Sequence, residues 1–165
     1  MNVPDFRSAE TTFQLLSQVS GRAGRSDLPG EVVIQSYNPD HYSIRYAKKH
    51  DYLSFYNEEM NIRRELSYSP YFYLTLVNIS SRDYDLGLKV ANKIGEYLRK
   101  NLSEGTKILG PSMANIFRIN NVYHYQCIIK YKRDDRLKKV LRDIDDIYKV
   151  NSKVDVDVDM DPVRI

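Results

Sequence analysis

Apolar residues in this chain recur first at helical spacing and then in alternating helix and strand segments. Over residues 8 to 20, Phe13, Leu16 and Ser20 fall on one side. Leu15 and Val19 lie four apart beside them, and the whole predicts an amphipathic helix. Gly21 supplies a stop, because glycine tolerates positive φ. Residues 22 to 30 carry the breakers Gly24, Pro29 and Gly30 and predict a loop. Val32, Val33 and Ile34 predict a buried strand from Glu31 to Tyr37. Asn38-Pro39 then reads as a cap followed by proline at the first helical position. The helical stretch that follows is expected to break near Asp51 and resume to about Leu66. Glu59 and Arg63 in it are spaced for an i,i+4 ion pair.

Ser67-Tyr68-Ser69-Pro70 ends the helical region, and a domain boundary is expected between about residues 50 and 68. Beyond it the pattern is strand, helix, strand, strand, helix, strand. The first strand spans about Tyr71 to Ile79, and the first helix about Asp83 to Leu102. In that helix Leu86, Val90, Ile94 and Leu98 repeat every four residues. Gly87, Ala91 and Gly95 repeat one step along, a small-residue stripe that permits close approach to a sheet. Gly105 marks the stop. A short strand from Lys107 to Leu109 leads into Gly110-Pro111. Asn115 to Ile119 and Val122 to Tyr131 predict a hairpin around Asn120-Asn121. The second helix runs from about Asp134 to Tyr148, with Leu137, Val140, Leu141, Ile144 and Ile147 on its core face. Val154 to Asp161 alternates as a last strand. The class is α/β (α+β), and the βαββαβ order is that of a ferredoxin-like split βαβ unit.

Composition narrows the setting. At 165 residues the chain suits one core, or one core plus a fragment. Its 14 Tyr and no Trp favour surfaces that are packed and wet at once. A net charge of +3 is modest, so an anion site must come from local clustering. The single cysteine, Cys127, excludes an internal disulfide and a cysteine-based zinc site within the chain. It fits a reducing compartment. No run approaches the roughly 20 apolar residues of a membrane span, and no secretory apolar segment opens the chain. These features predict a cytoplasmic protein without a membrane partner.

The sharpest chemical signal is Gln18-Val19-Ser20-Gly21-Arg22-Ala23-Gly24-Arg25. Two arginines three apart in a small-residue loop suit phosphate, since guanidinium offers a rigid fork of donors. The competing reading is a solvated basic turn. Gln18, one helical turn before Arg22, is a candidate for the same nucleotide network, with Gly21 beside it. No Gly-x-x-x-x-Gly-Lys-Ser/Thr phosphate loop occurs in the chain, so it is expected neither to bind nor to hydrolyse ATP alone.

For nucleic acid, Arg118 and Lys130 are the candidate phosphate contacts on the strands. Arg133, Arg136 and Lys138, with Lys139 and Arg142, crowd the start of the second helix. Interleaved Asp134, Asp135, Asp143, Asp145 and Asp146 favour a self-paired, solvated helix face instead. The Tyr-rich strands offer base stacking on an exposed sheet face; sealing a contact with the motor lobe or the 51 to 66 helix is the favoured reading. Asp155, Asp157, Asp159 and Asp161 line one face of the last strand. Alternate strand residues lie about 6 to 7 Å apart, too spread for one small cation, so they are expected to face water. His41, His50 and His124 lack a second ligand at metal spacing. Cys127 sits in an apolar strand and reads as core.

Gln-x-x-Gly-Arg-x-Gly-Arg resembles motif VI of superfamily 2 helicases, and the phrases around it make the resemblance specific. Pro4-Asp5-Phe6-Arg7-Ser8-Ala9-Glu10, Pro29-Gly30-Glu31-Val32-Val33-Ile34-Gln35, Phe55-Tyr56 and Arg63-Arg64-Glu65-Leu66 are among them. Leu109-Gly110-Pro111, Tyr123-His124-Tyr125-Gln126 and Asp159-Met160-Asp161-Pro162 extend them to the end. Together they are similar to the primosomal protein N-prime family of bacterial replication-restart DNA helicases. The resemblance implies an ATP-driven, 3′ to 5′ helicase that reloads the replisome at abandoned forks, using ATP and Mg in the full-length protein. It implies that residues 1 to 50 end the second RecA-like motor lobe, that 51 to 68 connect, and that 69 to 165 form the C-terminal domain. Arg22 and Arg25 would neutralise the terminal phosphate during cleavage, and the spacing does not choose between them.

Implied partners are single-stranded and branched DNA, the single-stranded-DNA-binding protein with its acidic tail, and other primosome proteins in the bacterial nucleoid. The family's zinc module is absent from this chain. Ser67-Tyr68-Ser69-Pro70 departs from the family's Gly-Tyr-Pro-Pro, and His124 stands where a basic residue is common. The alternatives are a stand-alone nucleic-acid-binding module of ferredoxin-like fold and the tail of another superfamily 2 helicase.

Overall fold

A computed structural model of the chain describes residues 5–21, 31–149 and 153–162. They divide into two compact units between Leu66 and Ser67.

The first unit contains three helices: α1 (Ser8–Ser20), α2 (Tyr42–Lys48) and α3 (Tyr52–Glu65). The apolar side of α1 buries Phe13, whose ring stacks on Phe55 of α3 at 4.2 Å between centroids. Ala47 completes the small core, with Leu16, Tyr42 and Tyr46 packed around it. Gly21 does cap α1, but at a right-handed φ of −67° rather than a positive one. Its N–H still reaches Ser17 O, so no left-handed turn is needed.

The expected strand from Glu31 to Tyr37 is absent. Val33 is 84% exposed. A strand is held by its neighbour's hydrogen bonds, and no strand among the described residues pairs with this one. Asn38-Pro39 does not open α2 either. The His41 N–H donates to Asn38 O, so proline sits at the second position of a turn, another place its fixed φ suits. His41 is the cap instead, accepting from the Ser43 N–H. Asp51 separates α2 from α3 as its sequence suggested, and its carboxylate accepts from the Ser54 N–H at 3.0 Å.

The second unit comprises β1 (Tyr73–Ser81), α4 (Tyr84–Asn101), β2 (Lys107–Ile119), β3 (Val122–Tyr131), α5 (Leu137–Tyr148) and β4 (Val154–Met160). The strands form one sheet in the order β2-β3-β1-β4, and every neighbouring pair is antiparallel. This connectivity is the split βαβ arrangement. Both helices pack on one sheet face, over Val77, Ile79, Tyr125, Cys127 and Ile129. The small-residue stripe of α4 does allow close approach. A Cβ on Gly87 would meet the Tyr125 ring at 2.8 Å, and one on Gly95 would meet Pro111 at 2.8 Å.

Several boundaries moved for local reasons. The short strand and the first hairpin strand are one element, β2, with register shifts after Leu109 and Met113. Gly110, at φ +93°, lets the strand bend and continue, and edge position tolerates Pro111. Asn120 and Asn121 both take positive φ, as a tight two-residue hairpin turn requires. α5 starts at Leu137, not Asp134, whose carboxylate accepts from the Arg136 N–H just before the helix and also ties down the α4–β2 connection. There the carboxylate accepts from the Ser103 N–H at 2.9 Å and from Thr106 Oγ1 at 2.6 Å. Ile147 is 62% exposed and lies outside the core it was expected to join.

Candidate nucleotide and nucleic-acid surfaces

The candidate arginines Arg22 and Arg25 lie outside the described residues. The structure does place what precedes them. Gln18 is exposed on the last turn of α1, and Gly21 ends that helix. Gln18, with Gln14 and Ser17, lines one wall of an open groove of about 540 Å³, whose other wall is Tyr52, Tyr56 and Met60 of α3.

Beneath this groove runs a buried ionic network. Arg63 Nε donates to Glu59 at 2.6 Å, and its Nη2 donates to Glu10 of α1 at 2.8 Å. The Phe6 ring lies 5.2 Å from the guanidinium carbon. Glu59 also accepts from the Tyr42 hydroxyl at 2.5 Å. Burial opposes the charge on Arg63, but its hydrogen bonds to Glu59 and Glu10 hold its pKa above the ordinary value. Burial pushes the Tyr42 hydroxyl up, and its bond to Glu59 adds to that. Helical spacing predicts the Glu59–Arg63 pair. It carries no sign of Glu10 or Tyr42, which arrive through packing of α1 and α2 on α3. The network therefore pins the start of the helix that carries Gln18 on its last turn.

In the second unit the candidate phosphate residues are scattered. Arg118, near the β2–β3 turn, is exposed and donates to Asn121 at 2.6 Å, with the Tyr123 ring 5.2 Å away. Arg133 pairs with Asp135 at 3.2 Å, both in full solvent. Arg136 is exposed just before α5, and Lys138 is exposed on its first turn. Lys138 and Arg142 line an open groove of about 440 Å³ between α5 and β4, together with Asp157 and with Asp145, which pairs with Lys149. Interleaved acid thus offsets the base on this helix. Asp155, Asp157 and Asp159 are exposed.

Lys130 departs from its expected exposure. It is only 4% exposed, and its Nζ lies 3.4 Å from the centre of the Tyr68 ring. Burial, then the charge on Lys107, lowers its pKa to about 8. Strand alternation gives the sheet face of Lys130 correctly but says nothing of what lies across it. That cover comes from the segment Ser67 to Phe72. Ser67 Oγ accepts from Lys107 Nζ at 2.8 Å. Phe72 lies 5.6 Å from Lys107 Nζ and 5.2 Å from Lys132 Nζ.

The tyrosines lie mostly on the other face. Tyr84, Phe117, Tyr123 and Tyr125 form an aromatic cluster at the start of α4, with Tyr84 and Tyr123 edge-to-face at 5.5 Å. Tyr125 is 1% exposed, and its hydroxyl donates to Tyr84 O. Tyr125, with Phe117 and Tyr123 packed beside it, seals the sheet against α4 rather than against the 51 to 66 helix, while Tyr84 is 39% exposed. Burial raises the Cys127 thiol to about 11, as befits an inert core cysteine. Among the described residues no group of three His, Cys, Asp or Glu is arranged to hold a metal, and no helix is long and apolar enough to cross a membrane.

The family model described as Primosomal protein N C-terminal domain matches residues 64–163. The chain is 51% identical over 165 residues to Replication restart protein PriA of Bacillus subtilis (strain 168), covering 98% of this chain and 20% of that protein. It is 38% identical over 166 residues to the protein of the same name from Synechocystis sp., covering 100% of this chain and 20% of the relative. The Chlamydia muridarum protein of that name is 36% identical over 161 residues, at 98% and 21% coverage. The chain thus spans about 20% of the length of these curated relatives.

Proposed function

This chain belongs to the replication restart protein PriA family, and from that membership we propose that it is the C-terminal portion of an ATP-dependent 3′ to 5′ DNA helicase that restores stalled forks and assembles the primosome. The observation that carries the reading is similarity over 98% of the chain, running through the arginine loop as well as the sheet domain. In this account residues 1 to 50 close the second RecA-like motor lobe. Arg22 and Arg25 face the terminal phosphate of an ATP held with Mg by the rest of the full-length protein. Gln18 orients that loop from the last turn of α1. The Arg63 network fixes the opposite end of the same helix.

The sheet domain engages single-stranded and branched DNA. It works beside the single-stranded-DNA-binding protein and other primosome proteins, in the bacterial cytoplasm at the nucleoid. The purified 165-residue chain tests the division of labour. Expected are no ATP turnover, with or without DNA, and weak, salt-sensitive DNA binding. Turnover by the chain alone would show that it holds a complete nucleotide site, contrary to the proposal.

A further inference from the structure

We propose that the groove between α1 and α3 is a pocket for one nucleobase, supplied by an unpaired base of single-stranded DNA. The inference rests on the reading above that the protein engages single-stranded DNA. It adds a contact in the first unit to the one proposed for the sheet domain.

The first observation is that the groove has one aromatic wall and one amide wall. On α3, Tyr52, Tyr56 and Met60 recur every four residues and so follow one another along the groove. Tyr52 and Tyr56 are 59% and 47% exposed, with ring centroids 6.1 Å apart. A ligand can therefore reach both rings, whereas Phe13 and Phe55 are stacked on each other and buried. On α1, Gln14 and Gln18 are spaced by four and both exposed. A primary amide presents a donor and an acceptor side by side, the pattern that pairs with base edges. A flat ring with apolar faces and a polar edge fits between these walls. Unpaired bases are held in this way, stacked on aromatic side chains and hydrogen-bonded at their edges. At about 540 Å³ the groove is within the range of small-ligand sites.

The second observation is charge. Among the described residues that line the groove, Arg63 is the one cation, and it is committed to Glu59 and Glu10. Two carboxylates against one guanidinium leave the lining net negative, which disfavours a phosphate and favours an uncharged group. The same balance selects DNA over ATP as the source of the base. A triphosphate concentrates its charge on one nucleotide. A DNA strand carries one charge per phosphate and can keep its backbone in solvent on the groove's open side.

The chain has no tryptophan, so Tyr56→Trp places a single reporter in the groove. Its emission is followed as the 165-residue chain is titrated with oligothymidine, with an abasic oligonucleotide of the same length, and with ATP. Expected is saturable quenching by oligothymidine alone. In parallel, anisotropy of a fluorescein-labelled oligothymidine reads affinity at two salt concentrations. Tyr56→Ala should weaken binding by about fivefold or more, the lower end of what one stacked base contributes. The slope of log affinity against log salt should stay unchanged, because no phosphate contact is lost. Tyr52→Ala, on the same wall, should act likewise and guards against a folding defect in one variant. Tyr56→Phe keeps the ring and should stay within about twofold of wild type. So should Leu53→Ala, which removes an exposed apolar side chain of α3 outside the groove.

If the reporter is unmoved while anisotropy shows binding, the groove holds no base; the inference fails while the DNA reading stands. If wild type binds no DNA at any salt, both fail. Equal quenching by the abasic oligonucleotide would mean that the groove meets the backbone and not a base, and would overturn the assignment. Quenching by ATP would overturn the choice of single-stranded DNA as the source.

Discussion

Arg63→Met probes the network that anchors α1. The substitution keeps an apolar stem against the Phe6 ring and removes the charge. Glu59, 3% exposed, would then retain only the Tyr42 hydroxyl. Glu10, with its side chain 41% exposed, would simply hydrate. Breaking a buried pair from one side costs about 3 to 5 kcal/mol, because the remaining charge is uncompensated. The lower end applies here, since Tyr42 still donates. At about 1.4 kcal/mol per factor of ten, 3 kcal/mol lowers the local closing constant by about a hundredfold. Hydrogen exchange read by mass spectrometry on peptides from α1 and α3 measures this directly, as a fall in protection of about that factor. Adding Glu59→Gln removes the stranded charge and still accepts from Tyr42, so most of the protection should return. Unchanged protection in Arg63→Met, or no recovery in the double variant, would refute the claim that the ion pair is what holds α1 on α3.

Other outcomes follow from single contacts. Lys130 titrates at about 8 in the folded chain against an ordinary 10.5, so the unfolded chain binds more protons between those values. Stability should therefore rise with pH across that window, by about 2 kcal/mol after allowing for the Tyr68 ring, which favours the charged form. Urea unfolding at pH 7 and pH 10 should show this slope in wild type and not in Lys130→Met, which should be the more stable protein at pH 7. Asp134→Ala removes the acceptor of Ser103, Thr106 and the Arg136 N–H and should cost about 1 to 2 kcal/mol in urea unfolding. Burial opposes the charge on Asp134, but those bonds hold its pKa below the ordinary 3.8. Its contribution should accordingly persist at neutral pH and disappear only as pH falls through that depressed value. Gly87→Val should drive a side chain into the Tyr125 ring and lower stability by about 1 to 3 kcal/mol or more, seen as a drop in thermal midpoint.

The second unit was legible because its signals are local. Four-residue spacing in α4, the Asn120-Asn121 turn and the alternation of β4 each act within one element. What failed depended on partners. Val32 to Ile34 have strand-forming side chains, yet without a neighbouring strand they remain outside any sheet. Asp134 reads as a helix start, but the helix begins at Leu137, and the carboxylate's bonds to Ser103 and Thr106, far off in sequence, leave no local sign. Lys130 reads as a surface lysine because no strand pattern reports that Ser67 to Phe72 crosses the sheet face. The Arg63 network was half legible: the pair within one helix was visible, and the tie to Glu10, across 53 positions, was not.

The most direct test of the central claim is ATP hydrolysis by a full-length protein carrying Arg22→Ala or Arg25→Ala, with DNA binding measured in parallel. Removing an arginine that neutralises the transferred phosphate costs on the order of 10³ to 10⁵ in rate in other phosphoryl-transfer enzymes. Expected is a drop in DNA-stimulated turnover of at least about a hundredfold in one or both variants, with DNA affinity within about twofold of wild type. Near-normal turnover in both would contradict it, and the loop would then be a solvated basic turn.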